Sequence, residues 1–280
     1  MQRHTYIVAS LIYDLGIMNS GSYFTVLKSK FISCYTNLMT IQQIYKKYRI
    51  TPSLQLHQYR VAAVAKYLSD KIKQANDQQK EIVMACLLHD MGNIIKFNMD
   101  LFPEFFLPEG VEYWKKVKED FVNKYGSDEH VATIEIAKEV LNSPRHAEFV
   151  SASGEEKIPK RVRDDGIDTH RVIELIDAIG FSNARRNAEG SDFGWKIAAY
   201  SDMRVEPYGV TTLESRLADG NKRFKLNKPG VSRHDFFVEM SGYLHTIQDQ
   251  LFTELPFSPE SITEETVQQM IRSLGQTRIS

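Results

Sequence analysis

Four residues of the types that hold divalent first-row cations stand at telling places in this chain. His57 sits in "SLQLHQYRVAAVAKYL", with Leu54 and Val61 as apolar neighbours along the same helical stretch. His89 and Asp90 close the apolar run of "CLLHDMGNIIK", and Asp202 lies in "KIAAYSDMRV", three and four residues after Ala199 and Ala198. A core helix gains nothing by ending its leucines on two adjacent polar side chains, because burying them unpaired costs several kcal/mol. Singly, each residue has a plainer reading. His57 reads as a hydrogen-bonded helical histidine, the His-Asp pair as chance, and Asp202 as a helix-end residue or an ion-pair partner. Jointly they are imidazole nitrogens and carboxylate oxygens on inward-facing helix positions, a donor set for a divalent metal with coordination positions left for water.

The elements that must position these residues read as helices. "SLQLHQYRVAAVAKYLSDKIKQ" places apolar residues at 54, 56, 61, 64 and 68, close to a helical period. "DQQKEIVMACLLHDMGNIIKF" repeats the pattern with Asp77 as its N-cap, and "SDEHVATIEIAKEVL" starts a helix at Ser127 or Asp128. Between them "LFPEFFLPEGVEYW" is broken by two prolines and a glycine and reads as an aromatic loop. The segment "NSPRHAEFVSASGEEKIPKRVRDDGID" is polar and turn-rich, of the kind that forms a lid or a mobile connection. Helical patterns resume with "THRVIELIDAIG", "DFGWKIAAYSDMRV", "TTLESRLADGNKRF" and "SRHDFFVEMSGYLHTIQDQLFTEL"; "SPESITEETVQQMIRSLG" reads as a final helix opened by a cap-like serine. No alternating β-branched run is long enough to build a sheet, so the fold class is all-α.

Residues 1–38 read as an N-terminal extension, with Met39 as a second candidate start. Residues 39–250 form the helical domain, and 251–280 a C-terminal helical tail. With 35 basic and 36 acidic residues the formal net charge is −1, which gives no global attraction for nucleic acid. The basic clusters "PKRVR" and "NKRFKLNK" read as solvated surface. The apolar stretch "YIVASLIYDLGIM" is interrupted by Asp14 and falls short of the roughly 20 residues of a membrane span. Two widely spaced cysteines, Cys34 and Cys86, suggest no disulfide framework, and Cys86 reads as a small core residue. A cytoplasmic protein without membrane or nucleic-acid partners is the expectation; the oligomeric state is open.

The sequence of motifs, "LQLHQYRVAAVAKYL", then "ACLLHDMGN", then "KIAAYSDMRVEPYGVTTLESRL", resembles the HD-domain superfamily of metal-dependent phosphohydrolases, named for its His…His-Asp…Asp signature. The resemblance covers roughly residues 50–225. It implies a helical bundle in which His57, His89, Asp90 and Asp202 are metal ligands. Two departures stand out. Many members carry a lysine directly after the glycine that follows His-Asp; here Asn93 follows Gly92, and Lys96 is the nearest lysine able to replace that cation if the helix continues. Dinuclear members add two more histidines. His130 matches the first, while "GFSNARR" stands where the second would fall, so one ion per chain (Mn, Co, Mg, Ni or Fe) is expected, with His130 as a spare ligand.

A metal held in this way lowers the pKa of bound water and yields a hydroxide nucleophile near neutral pH. The expected reaction is hydrolysis of a small phosphate ester, by resemblance a nucleotide. Asp90 would accept the water proton, and Arg60, three residues after His57 on the same face, would hold the phosphate; Arg204 is a weaker candidate. The aromatic loop could stack a base or simply fill core. The competing readings are a non-catalytic HD module that senses a nucleotide and, behind it, an iron-dependent oxygenase.

Overall fold

Helical propensity and apolar spacing are realised almost throughout the computed structural model, which describes residues 39–142, 166–228 and 230–279. The N-terminal extension and most of the polar segment after Asn142 lie outside the described residues. Eleven α-helices occur among the described residues, with strands of only two residues each. β1 (Met39–Thr40) leads into α1 (Ile41–Lys47) through a capping box between Thr40 and Gln43. β1 pairs antiparallel with β4 (Arg278–Ile279), Met39 opposite Ile279, so the two ends of this unit are tied together.

α2 (Pro52–Ser69) starts where the rules of helix entry place it: the Thr51 side chain accepts from Leu54 N, and Pro52 occupies the first turn, where its missing N–H costs nothing. Its run Val61–Ala65 is fully buried, so α2 is the central helix rather than a one-sided surface helix. α3 (Gln79–Leu88) packs along it, and α8 (Phe193–Asp202) lies against both. Ala198 and Ala199 are buried at that contact, where small side chains let the backbones approach. The Asp192 side chain caps α8 by accepting from Trp195 N and also pairs with Arg171.

The remaining helices brace this trio. α4 (Val111–Tyr125) and α5 (Glu129–Leu141) pack beside the turn that follows α3, and α6 (Thr169–Ala178) lies on α3 and α5. α7 (Ala184–Glu189) contacts α10 (His234–Thr253), which also crosses α8. A hairpin of β2 (Val205–Glu206) and β3 (Gly209–Val210) precedes α9 (Leu213–Asn227), and α11 (Glu264–Leu274) returns to cover α2. Residue 250, read from sequence as a domain boundary, falls inside α10, and the described residues form one compact unit.

Several boundaries differ from the sequence reading for local reasons. A short 3-10 helix, Lys73–Gln78, takes up Asp77, so α3 begins at Gln79 without a side-chain cap. The final helix is capped by Thr263 rather than Ser258, because Pro259–Ser261 form their own 3-10 turn. The aromatic loop contains a 3-10 turn, Pro103–Phe106, and its last residues already belong to α4. No helix among the described residues is long and apolar enough to cross a membrane.

Candidate metal centre

His57 projects from the middle of α2, His89 is the C-cap of α3, Asp90 follows it in the turn, and Asp202 is the last residue of α8. These three helices bring the four side chains together from positions up to 145 residues apart. His57 Nε2 donates to Asp202 Oδ1 at 3.1 Å and lies 3.7 Å from Asp90 Oδ2. The two imidazoles face each other with ring centroids 5.5 Å apart. Ligand atoms of His57, His89 and Asp90 all fall within 4.8 Å of one another, a span that one ion can bridge.

His89 carries the most information. Its Nδ1 lies 2.8 Å from the Cys86 carbonyl oxygen, and a carbonyl can only accept, so Nδ1 bears the proton. That fixes the ring and leaves Nε2 as the outward donor atom, the arrangement in which histidines ligate metals. Nε2 is buried and makes no hydrogen bond among the described residues, although Asp90 Oδ2 at 3.6 Å and Asp202 Oδ1 at 3.5 Å face it. A buried nitrogen without a partner is costly, and a cation placed between the carboxylates and the imidazoles removes that cost. The residues present therefore fit a divalent ion.

The electrostatics agree. Burial opposes a charged His89 ring, but the Asp90 and Asp202 carboxylates outweigh it and push the imidazole up to about 9. Burial would raise the Asp202 carboxyl; the His57 and His89 rings and the Arg216 guanidinium instead hold it well below the usual carboxylate range. The cluster thus has a surplus of negative charge that draws in a cation, protons included.

The turn after His89 departs from the continued helix on which the Lys96 expectation rested. α3 ends at Leu88, and Asn93–Lys96 form a 3-10 helix instead. The cause is close packing: Gly92 N donates to Thr133 Oγ1 of α5 at 2.9 Å, and a Cβ at position 92 would run into the α5 backbone. Asn93 and Lys96 nevertheless reach the cavities that open on the centre, with Lys96 Nζ half-exposed and 3.9 Å from Glu129.

Arg60 does not join the cluster. Its Nε donates to both carboxylate oxygens of Glu264, at 2.9 and 3.0 Å, and it lines neither cavity. The guanidinium ties α2 to α11 rather than meeting the centre. Arg204 is buried as well, donating to the carbonyls of Thr211, Pro259 and Ile262 and to the Tyr200 hydroxyl. His130 lines the larger cavity but stands apart from the three-residue ligand group. Its Nε2 lies 3.2 Å from Asp177 Oδ1, and Arg186 holds the other oxygen of that carboxylate at 2.9 Å.

The cation that sequence reasoning missed is Arg216 of α9. Its side chain is 16% exposed, its Nη2 lies 3.8 Å from Asp202 Oδ2, and its Nε is buried without a partner among the described residues. The available signal was its register: Arg216 follows Leu213 by three residues and precedes Gly220 by four, on the stripe that Leu213 and Leu217 bury.

No curated protein and no solved structure matches the chain. The match to a family model spans residues 55–166 and holds His57, His89 and Asp90, while Asp202 lies beyond it and reaches the cluster through the packing of α8. That model is described as the HD domain, so residues 55–166 are similar to the HD domain.

Proposed function

We propose that this protein is a divalent-metal-dependent phosphohydrolase acting on a small phosphate ester, with a nucleotide as the favoured substrate. The supporting observation is the buried, unpartnered Nε2 of His89, aimed between two carboxylates and a second imidazole in an HD domain. His57 Nε2, His89 Nε2, Asp90 and Asp202 would hold the ion. Bound there, a divalent cation supplies a Lewis acid for a phosphoryl oxygen and lowers the pKa of water.

The chain's own residues supply the rest. Arg216 and Lys96 place positive charge beside the ligands, where it meets the charge that develops on the phosphoryl oxygens. Asp90 lines both cavities and accepts the proton of the attacking water. Phe102 and Phe105, stacked with centroids 5.9 Å apart, line one cavity and offer a flat wall to a base.

The test is a hydrolysis screen of nucleotides and general phosphoesters with Mn²⁺, Co²⁺, Mg²⁺, Ni²⁺ or Fe²⁺, run beside Asp90→Ala. Turnover that needs metal, and that disappears in a variant with unchanged circular dichroism, supports the proposal. Metal uptake without turnover of any ester would refute a hydrolase and leave the nucleotide-sensing module.

A further inference from the structure

The ligand cluster lies on a saddle between two open cavities, of about 980 Å³ and about 470 Å³. Asp90, Asp202, Glu129, Lys96 and Arg216 line both. A phosphoryl group resting on the ligands therefore has room on two sides. A monoester fills only one of them, whereas an ester with two organic arms fills both.

Charge on the saddle points the same way. Among the described residues that line both cavities there are three carboxylates and two cations, one negative charge in excess. One divalent ion converts this to one positive charge. A phosphodiester carries one negative charge, and a monoester close to two near neutral pH. Arg216 supplies the direct contact: its guanidinium is largely buried, its nearest carboxylate is 3.8 Å away, and its Nε is without a partner among the described residues. The Arg216 side chain lines both cavities, so phosphate oxygens on the saddle can pair with its guanidinium.

The two cavities differ in lining. The smaller is walled by Phe97, Phe102 and Phe105, with Arg223 and Lys228 at its edge, and suits a flat aromatic arm. The larger is bordered by Lys225, Arg233, Phe236 and Phe237 of the α9–α10 region and suits a longer arm with charge of its own. We propose that the substrate is a phosphodiester whose scissile group sits on the saddle against Arg216, with one ester arm in each cavity. This rests on the hydrolase reading above. Water oxygen bonds to phosphorus as one P–O ester bond breaks. The proton released by the water ends on the departing oxygen, so one diester and one water give one monoester and one alcohol.

The experiment compares, in the full chain loaded with Mn²⁺, bis(4-nitrophenyl) phosphate with 4-nitrophenyl phosphate, and a dinucleoside monophosphate with the 5′-mononucleotide. The diester of each pair is expected to have a kcat/KM at least about tenfold higher. Phe102→Ala should raise KM for the dinucleotide. Arg216→Lys should retain more diester turnover than Arg216→Met. Equal or better turnover of the monoesters overturns the proposal while the hydrolase reading stands. If neither class is hydrolysed, the hydrolase reading fails, and calorimetric titration with the two nucleotides decides the geometry. Dinucleotide binding at least about tenfold tighter supports the two-armed site; equal binding overturns it.

Discussion

Gly92 is the point at which the His-Asp turn touches α5, and its replacement by alanine tests how the centre is held. The backbone there has φ −93° and ψ −2°, which any residue adopts, so the demand for glycine is one of space. An added Cβ would lie 2.4 Å from the Glu129 carbonyl oxygen, 2.8 Å from Ala132 Cβ and 2.8 Å from Thr133 N. Two of these atoms are helix backbone and the third is one bond from it, so no rotamer change relieves the contact. To restore van der Waals distance either α5 or the turn must retreat by about 1 Å. Overpacking of this kind costs about 3 kcal/mol, at the upper end of the usual range because nothing nearby is soft. For a domain of this size that lowers Tm by roughly 6–12 °C.

The displacement also reaches Asp90, two residues before, so Mn²⁺ affinity should fall about tenfold or more. Thermal denaturation and calorimetric Mn²⁺ titration read both effects. Gly242→Ala is the control: in α10 an added Cβ meets nothing within 4 Å, and the same change there should stabilise by about 0.5–1 kcal/mol through helix propensity. A Gly92→Ala protein with wild-type Tm and Mn²⁺ affinity would refute the claim that close packing on α5 sets the turn.

Three further outcomes follow from the same geometry. In chelator, His89, raised to about 9, contributes about 3 kcal/mol that is fully present below about pH 6.5 and is lost as pH rises through 9; depressed Asp202 contributes above about pH 4 and loses this on acidification. Melting curves of the metal-free protein should therefore be highest between these limits, and His89→Gln should flatten the alkaline decline; an unchanged decline in the variant would assign it elsewhere. Mn²⁺ at about 100 times its Kd should stabilise the protein by about 2.7 kcal/mol, and Asp202→Asn should abolish most of that gain, as scanning calorimetry would register. Arg60→Met should lower stability by about 1–3 kcal/mol through loss of the charged contact to Glu264 and leave Mn²⁺ affinity intact; a tenfold loss of affinity would return Arg60 to the metal centre.

What could be read from the sequence was what depends on neighbours in the chain. Apolar spacing located α2, α3, α5 and α8, the start of α5 was legible as Ser127 or Asp128, of which the structure uses Asp128, and the small residues before Asp202 marked a close helix contact. The arginines divide differently. Arg60 and His57 do share a stretch of α2, but the carboxylate that claims Arg60 is 204 residues away, on a helix whose docking no local pattern encodes. Arg216 was passed over although it stands near the end of the third motif, because only the packing of α9 against the centre reveals its neighbour Asp202. The end of α3 was hidden for a similar reason: it is set by Glu129, Ala132 and Thr133 from another helix.

The centre is consequently a product of small-residue packing as much as of ligand chemistry. α2 presents Ala62, Ala63 and Ala65, α3 presents Ala85 and Cys86, and α8 presents Ala198 and Ala199, all buried. Such side chains contribute little apolar area each, but they let three helix backbones converge until side chains as short as histidine and aspartate can meet. Longer residues at those positions would bury more surface and separate the imidazoles and carboxylates that the three helices bring together. The imidazoles and carboxylates attract one another, but His89 Nε2 has no hydrogen-bond partner among the described residues, with Asp90 Oδ2 and Asp202 Oδ1 at 3.6 and 3.5 Å. A cation therefore completes the packing of α2, α3 and α8 as well as the chemistry, and fold stability and metal affinity should rise and fall together in this protein.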